Sequence, residues 1–395
     1  MKDIIFDKLL IFYIFISLIA AFSITSTTIN YFFFLAILGI WILAAFFSPK
    51  LEVSFIWFDL IPATFLISWA YGLAVACFLG NSPIFIVSNF AGMTLFIIYF
   101  FLILSDISSE KLIKILIWSA IIHAAYSYGY SYWIYKTGTS FLGLNEDGSI
   151  IFRLYYSPGL SVMGPVIAYL FAILFLVRGY PKTAKIKSFA LLIFLIIPYA
   201  VLSFSKGYFA SIVMFMAFVF FIVLFSSLQH YRIKKAGFIF LTFFLLFGCL
   251  ALYFLGDELL FKFSTQEHGN SLRKEQSAFL FQEINFWGKG LGAVLDSGYI
   301  RSEIKPYGFE LTFLNILHKF GFLGILVWIA YIICILVPVC FVFMNNSCKY
   351  SWFAVGGMMF VIPGYGNPIL FHPTVVILHC VTMYLIRCSI LSKKA

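Results

Sequence analysis

Charged residues make up only 11% of this 395-residue chain, so each one in apolar surroundings calls for a chemical reason. Arg153 lies in the aromatic stretch Ile150-Ile-Phe-Arg-Leu-Tyr-Tyr156, just before Pro158 and Gly159. Its rigid guanidinium fork suits a phosphate or diphosphate bidentately; a snorkelling interfacial arginine is the other reading. Lys206 sits in Ser203-Phe-Ser-Lys-Gly207, where the glycine lets a ligand approach the backbone and the next helix offers its positive end to an anion. The alternative is a helix-end lysine reaching for water. Arg273 opens the stretch 271–287, whose apolar residues recur near helical spacing, so it predicts a helix lying on the bilayer or folded over the bundle as a lid. The stretch ends in Gly288-Lys-Gly-Leu-Gly292, where Lys289 and exposed backbone amides could hold an anion, or where the chain simply turns at a helix end. This glycine pattern matches neither a P-loop nor a dinucleotide fingerprint.

The block from Tyr307 to Gly324 supplies a carboxylate and an imidazole. On a continuous helix Glu310, Leu314, Leu317, His318 and Gly321 share a face, so Glu310 and His318 would point the same way about two turns apart. Burial would raise the carboxylate's pKa towards the range of a general base; a capping or solvated glutamate is the alternative. His318 taken alone reads as a core residue. Tyr155, Tyr156 and Tyr307 could offer aromatic faces for stacking or belong to an interfacial aromatic belt. His123, His372 and His379 have no ligand-like spacing. The seven cysteines form no C-x-x-C pair, so neither a zinc site nor a disulfide framework is expected, and no metal or other cofactor is assigned.

The elements that must position these groups follow from composition. The chain is 63% apolar and 21% aromatic, too poor in polar surface for a soluble enzyme or a disordered chain. Runs such as 215–225 are almost solidly apolar, unlike the alternating strands of an outer-membrane barrel. About twelve helices of roughly 20 residues would use about 240 residues. The expectation is an all-α, polytopic integral membrane bundle, a single domain over 1–395. Its spans fall near 8–24, 30–48, 61–79, 84–104, 112–133, 158–177, 188–203, 207–227, 236–256, 309–343, 351–363 and 370–387. The tenth is too long for a single straight span, and its part before Gly321 is read as a helix beginning outside the membrane. Lys2, Lys8, Lys50, Lys111, Lys114, Arg178, Lys182, Lys185, Lys187, Arg232, Lys234, Lys235, Lys349, Arg387, Lys393 and Lys394 lie at the termini or in every second connection, which places both termini in the cytoplasm. The net charge of +10 therefore speaks of topology and not of a nucleic-acid partner. Two long connections remain outside: a third outer loop at 134–157 and a large fifth outer loop at 257–308, the latter partly helical. No internal repeat is evident, which argues against an inverted-repeat transporter.

In topology and motifs the chain resembles the bacterial O-antigen polymerases, which share a superfamily of lipid-linked glycosyltransferases with the O-antigen ligases. Arg153, ten residues and then Gly164 is similar to the arginine-x10-glycine motif of these polymerases. Ser205-Lys206-Gly207 resembles the superfamily's serine-arginine-glycine turn, and 309–324 its glutamate-or-histidine helix. Departures are visible: Arg273 is followed by glycine at 288 and not ten residues on, and Lys206 replaces an arginine. Glu310 stands where ligases usually carry histidine beside asparagine, which favours the polymerase. The resemblance implies metal-independent, inverting transfer of a growing glycan from undecaprenyl diphosphate to a sugar hydroxyl of the next lipid-linked repeat unit. The site would lie at the periplasmic face of the bacterial inner membrane. In that scheme Arg153 and Arg273 stabilise the leaving diphosphate, Glu310 is the base, and Lys206, Lys289, His318, Tyr155 and Tyr307 bind substrate. A polysaccharide chain-length regulator and a flippase are the candidate protein partners. The alternatives are a ligase acting on lipid A-core and a flippase or transporter for the same lipid-linked sugar.

Overall fold

The computed structural model describes residues 2–19, 39, 55–138, 159–175, 182–202, 208, 210–219, 268–300, 306–344, 351–357 and 370–391. Within them the chain is all-helical, and no strand occurs among the described residues. The helices are α1 (Lys2–Ile19), α2 (Leu60–Phe78), α3 (Pro83–Ser88), α4 (Ile97–Leu104), α5 (Ser109–Thr137), α6 (Gly159–Phe175), α7 (Lys182–Ile196), α8 (Ala210–Val219), α9 (His268–Glu283), α10 (Thr312–Phe320), α11 (Phe322–Met344), α12 (Ser351–Val355) and α13 (Pro373–Leu391). Among the described residues, four helical stretches are long and apolar enough to cross a membrane: Trp57–Phe78, Ser109–Thr137, Thr183–Ala200 and Pro373–Leu391. Shorter apolar helices accompany them at Ala91–Leu104, Leu160–Leu174, Ala210–Val219 and Phe322–Cys334. The predicted span at 236–256, and that at 30–48 apart from Gly39, lie outside the described residues.

Helix α13 is the hub of the bundle. Its residues are apolar almost all round, and nearly every one is buried, against α1, α4, α6, α12 and the 3-10 segment Ala91–Phe96. Peripheral helices are one-sided instead. On α11, Ile325, Ile329, Ile332 and Leu336 stay exposed at helical spacing, the arrangement of a helix whose outer face meets lipid. Helix α5 carries Glu110 in its first turn and Lys136 in its last, matching its macrodipole. It stops at Gly138, whose left-handed backbone (φ 62°) donates its N–H to the Ile134 carbonyl.

Two of the expected spans are interrupted, and both breaks serve the same end of the bundle. The span expected at 84–104 is cut into α3, a left-handed residue at Phe90 (φ 52°), the 3-10 segment Ala91–Phe96, and α4. The break frees the Asn89 side chain to accept the Gly292 amide at 2.9 Å, and Gly92 lies directly against the Phe371 carbonyl, where no Cβ would fit. The span expected at 309–343 is likewise two helices. It breaks at Gly321 (φ 57°), pressed against the 286–288 backbone, and its helical part starts at Thr312, leaving Glu310 before the helix.

The opposite end is tied by a buried ionic knot. Asp59 accepts from Arg387 Nε at 3.1 Å, from the Tyr99 hydroxyl at 2.5 Å and from the Ile56 amide at 2.9 Å. Both Asp59 and Arg387 are almost fully buried, so the cluster is held by mutual satisfaction of donors and acceptors.

Candidate functional site

The amphipathic stretch does form a helix, α9, and it folds down over the segment that carries Glu310. Arg273, Gln276, Leu280 and Glu283 recur at spacings of three, four and three, so they share one face. Gln276 and Leu280 are buried, and Gln276 Oε1 accepts the Leu311 amide at 3.1 Å. Leu280 joins Leu295, Phe309 and Leu311 in a small separate core. The interface between α9 and α10 is therefore apolar in the middle and charged at both ends.

At one end lies the Arg273–Glu310 pair. Arg273 Nε donates to Glu310 Oε2 at 3.1 Å across 37 positions of sequence, and a further guanidinium nitrogen donates to Asn270 Oδ1 at 3.2 Å. The two side chains keep 24% and 22% of their exposure, enough for a ligand to reach them. Two residues singled out in the sequence are thus brought together, in a geometry helical periodicity did not foresee. Glu310 precedes α10 and faces Arg273, so it shares no helical face with His318.

At the other end Glu283, His318 and Lys319 form a buried cluster. His318 and Lys319 have no exposed surface. Glu283 accepts the amides of Asp296 (2.9 Å) and Ser297 (3.0 Å), and one of its oxygens lies 3.7 Å from His318 Nε2. Burial, with Lys319 and Lys289 nearby, holds the imidazole far below its ordinary pKa, so this contact joins a neutral ring to a carboxylate. Lys319 Nζ donates to the Ala293 carbonyl and lies 4.9 Å from the centre of the Phe309 ring. Burial also draws its pKa well below the ordinary lysine value, opposed in part by Glu283. Both residues are in α10, outside the apolar helices long enough to span.

The glycine-rich turn is consumed by structure. Its amides at Lys289, Gly290, Leu291 and Gly292 donate to the His318, Lys319 and Gly72 carbonyls and to Asn89 Oδ1, at 2.8–3.0 Å. Asn81 Nδ2 donates back to the carbonyls of Lys289 and Leu291 at 2.9 Å each. No amide in that run is left to form an anion nest. The turn is a staple joining α2, the 79–82 connection and α10.

Of the other sequence-derived site residues, the structure describes Lys289, Tyr307 and His318. Lys289 Nζ pairs with Asp296 at 2.6 Å on the surface. Tyr307 is buried, its hydroxyl donating to Ser88 Oγ at 2.7 Å and its ring 5.1 Å from that of Phe85, so it presents no open platform for a sugar. His318 is sealed from solvent, which removes it from direct contact with substrate in this conformation. Arg153, Tyr155 and Lys206 lie outside the described residues. Sequence reasoning passed over Glu283, Asn81 and Asn89. Glu283 was within reach, because the spacing of Gln276 and Leu280 already puts it on the buried face of α9. The asparagines carry no signal of their own, since only the folded turn tells what they bind.

Neither a family model nor a curated protein matches the sequence.

Proposed function

We propose that this chain is a membrane-embedded, inverting glycosyltransferase of the O-antigen polymerase type. It acts at the periplasmic face of a bacterial inner membrane through a bundle of about twelve spans with both termini cytoplasmic. The observation that carries the reading is the partly exposed Arg273–Glu310 pair at one end of an apolar helical bundle. A lipid-linked glycan brings a diphosphate leaving group and a sugar hydroxyl to such a place. The chemistry then needs one cation and one base.

In this mechanism the incoming diphosphate competes for the Arg273 guanidinium and frees Glu310. The acceptor hydroxyl oxygen attacks the anomeric carbon, and Glu310 takes its proton. The bond from that carbon to the diphosphate breaks, and the oxygen leaves with the electron pair. Arg273 stabilises the growing negative charge, with Arg153 and Lys206 assigned to the same leaving group. The α9 helix covers the site and keeps Arg273 oriented through the Gln276 and Leu280 contacts.

The test is elongation of undecaprenyl-diphosphate-linked repeat units by the purified full chain. Chain growth that is lost in both Arg273→Ala and Glu310→Gln is the expected result. Normal growth with both variants overturns the assignment, transfer only to lipid A-core would mean a ligase, and translocation of labelled lipid without longer chains would mean a flippase.

A further inference from the structure

The chemistry above leaves the buried end of the α9–α10 interface without a task. A lysine with no exposed surface is rare and costly, and burial of a charged or strongly polar group persists where its surroundings are arranged around it. Here the surroundings are three separate pieces of chain. The Ala293 carbonyl comes from the glycine-turn loop, Glu283 from the last turn of α9, and Phe309 from the residue before Glu310. The backbone repeats the pattern, since the His318 and Lys319 carbonyls receive the Lys289 and Gly290 amides. Glu283 closes the circuit by holding the Asp296 and Ser297 amides of that same loop.

We propose that Lys319, together with Glu283, is a positioning residue for Glu310, a role that rests on the reading of Glu310 as the catalytic base. Lys319 touches no exposed surface and is no catalytic group. Its Nζ packs against the ring of Phe309, while Gln276 Oε1 accepts the Leu311 amide. Glu310 is bracketed by these two anchors and so is held at the Arg273 guanidinium. Glu283 restrains the far end of the helix that carries Arg273, so both members of the pair are referred to one buried point. If the cluster were only filling, an apolar residue of similar length would replace the lysine without loss, because buried ionic groups are often exchanged for hydrophobic ones at no cost in stability. A positioning role predicts instead that such a replacement spares folding and binding but slows the chemical step. A displacement of about 1 Å at a reacting group can cost about 100-fold in rate.

The experiment uses the detergent-solubilised full chain and lipid-linked repeat units, with Lys319→Met, Glu283→Gln and the double variant, and Arg273→Ala and Glu310→Gln as controls. The expected result is a fall in kcat of at least tenfold in each single variant with KM within about twofold of wild type. The double variant should be no slower than the worse single one, because both act through the same point. Lys319→Gln, which keeps a donor for the Ala293 carbonyl, should recover most of the rate; if Lys319→Met fails to fold, Glu283→Gln carries the test, and wild-type kcat there overturns the role. Wild-type kcat in Lys319→Met, or independent and multiplying losses, overturns the positioning role while an inactive Glu310→Gln leaves the base assignment standing. Full activity in Glu310→Gln and Arg273→Ala overturns both.

Discussion

Gly290 tests whether the glycine turn is a staple. Its backbone is left-handed (φ 74°), and a Cβ built there would lie 2.4 Å from the Ala76 nitrogen and 2.6 Å from its Cα. Ordinary contact begins at 3.4 Å, so Gly290→Ala must push the turn off α2 by about 1 Å. That movement stretches the Gly290 amide to Lys319 carbonyl bond and the Leu291 amide to Gly72 carbonyl bond, both 3.0 Å long. At about 1 kcal/mol for each weakened bond and about 1 kcal/mol for a non-glycine residue in left-handed backbone, the loss is about 3 kcal/mol. Gly298 provides the matched control. It too is left-handed (φ 75°), but nothing lies within 4 Å of its added Cβ, so Gly298→Ala carries only the backbone cost of about 1 kcal/mol. Thermal unfolding of the solubilised chain at one fixed scan rate ranks the two variants even if unfolding is irreversible. The midpoint of Gly290→Ala should fall at least twice as far as that of Gly298→Ala. Equal shifts would refute the packing of the turn on α2, because the two sites share a backbone conformation and differ only in their neighbours.

Further outcomes follow from the charged groups. Asp59→Ala leaves Arg387 buried without its carboxylate and should destabilise the fold by about 3–5 kcal/mol, whereas Asp59→Leu with Arg387→Met should recover most of the unfolding midpoint. His318 is held neutral when folded, so below about pH 6.5 only the unfolded chain takes up its proton, and stability falls as pH falls, by up to about 1.4 kcal/mol per unit. His318→Gln should flatten that acid limb in pH-dependent unfolding and leave stability above pH 7 unaffected by this titration. Arg273→Met breaks a pair that is about a quarter exposed, so its unfolding free energy should change by no more than about 1 kcal/mol while chain elongation falls at least 100-fold. A loss of activity matched by a loss of fold would make the pair structural.

Composition and periodicity by themselves determined that this chain is helical and suited to a membrane, because about 20 apolar residues in a row leave the backbone no other way to satisfy its polar groups in lipid. They also marked Glu310, a charge in largely apolar surroundings, and Arg273, which heads an amphipathic stretch. The amphipathic pattern of 271–287 announced a helix and left open whether it lay on the bilayer or over the bundle. What only the tertiary structure decided is which groups meet. Periodicity carried the helix before Gly321 back through Glu310 and joined it to His318, but the helix starts only at Thr312 and leaves Glu310 outside that register. The glycines at 288–292 could be read as an anion-holding loop or as a plain helix-ending turn, because free amides and bound amides look alike in sequence. Their partners, Gly72, Asn89, His318 and Lys319, lie far off in the chain and become neighbours only when the bundle closes. Lys319 shows the same limit from the other side. Nothing in its sequence neighbours His318 and Phe320 tells that this lysine is buried, and its burial is decided by the segments that fold around it.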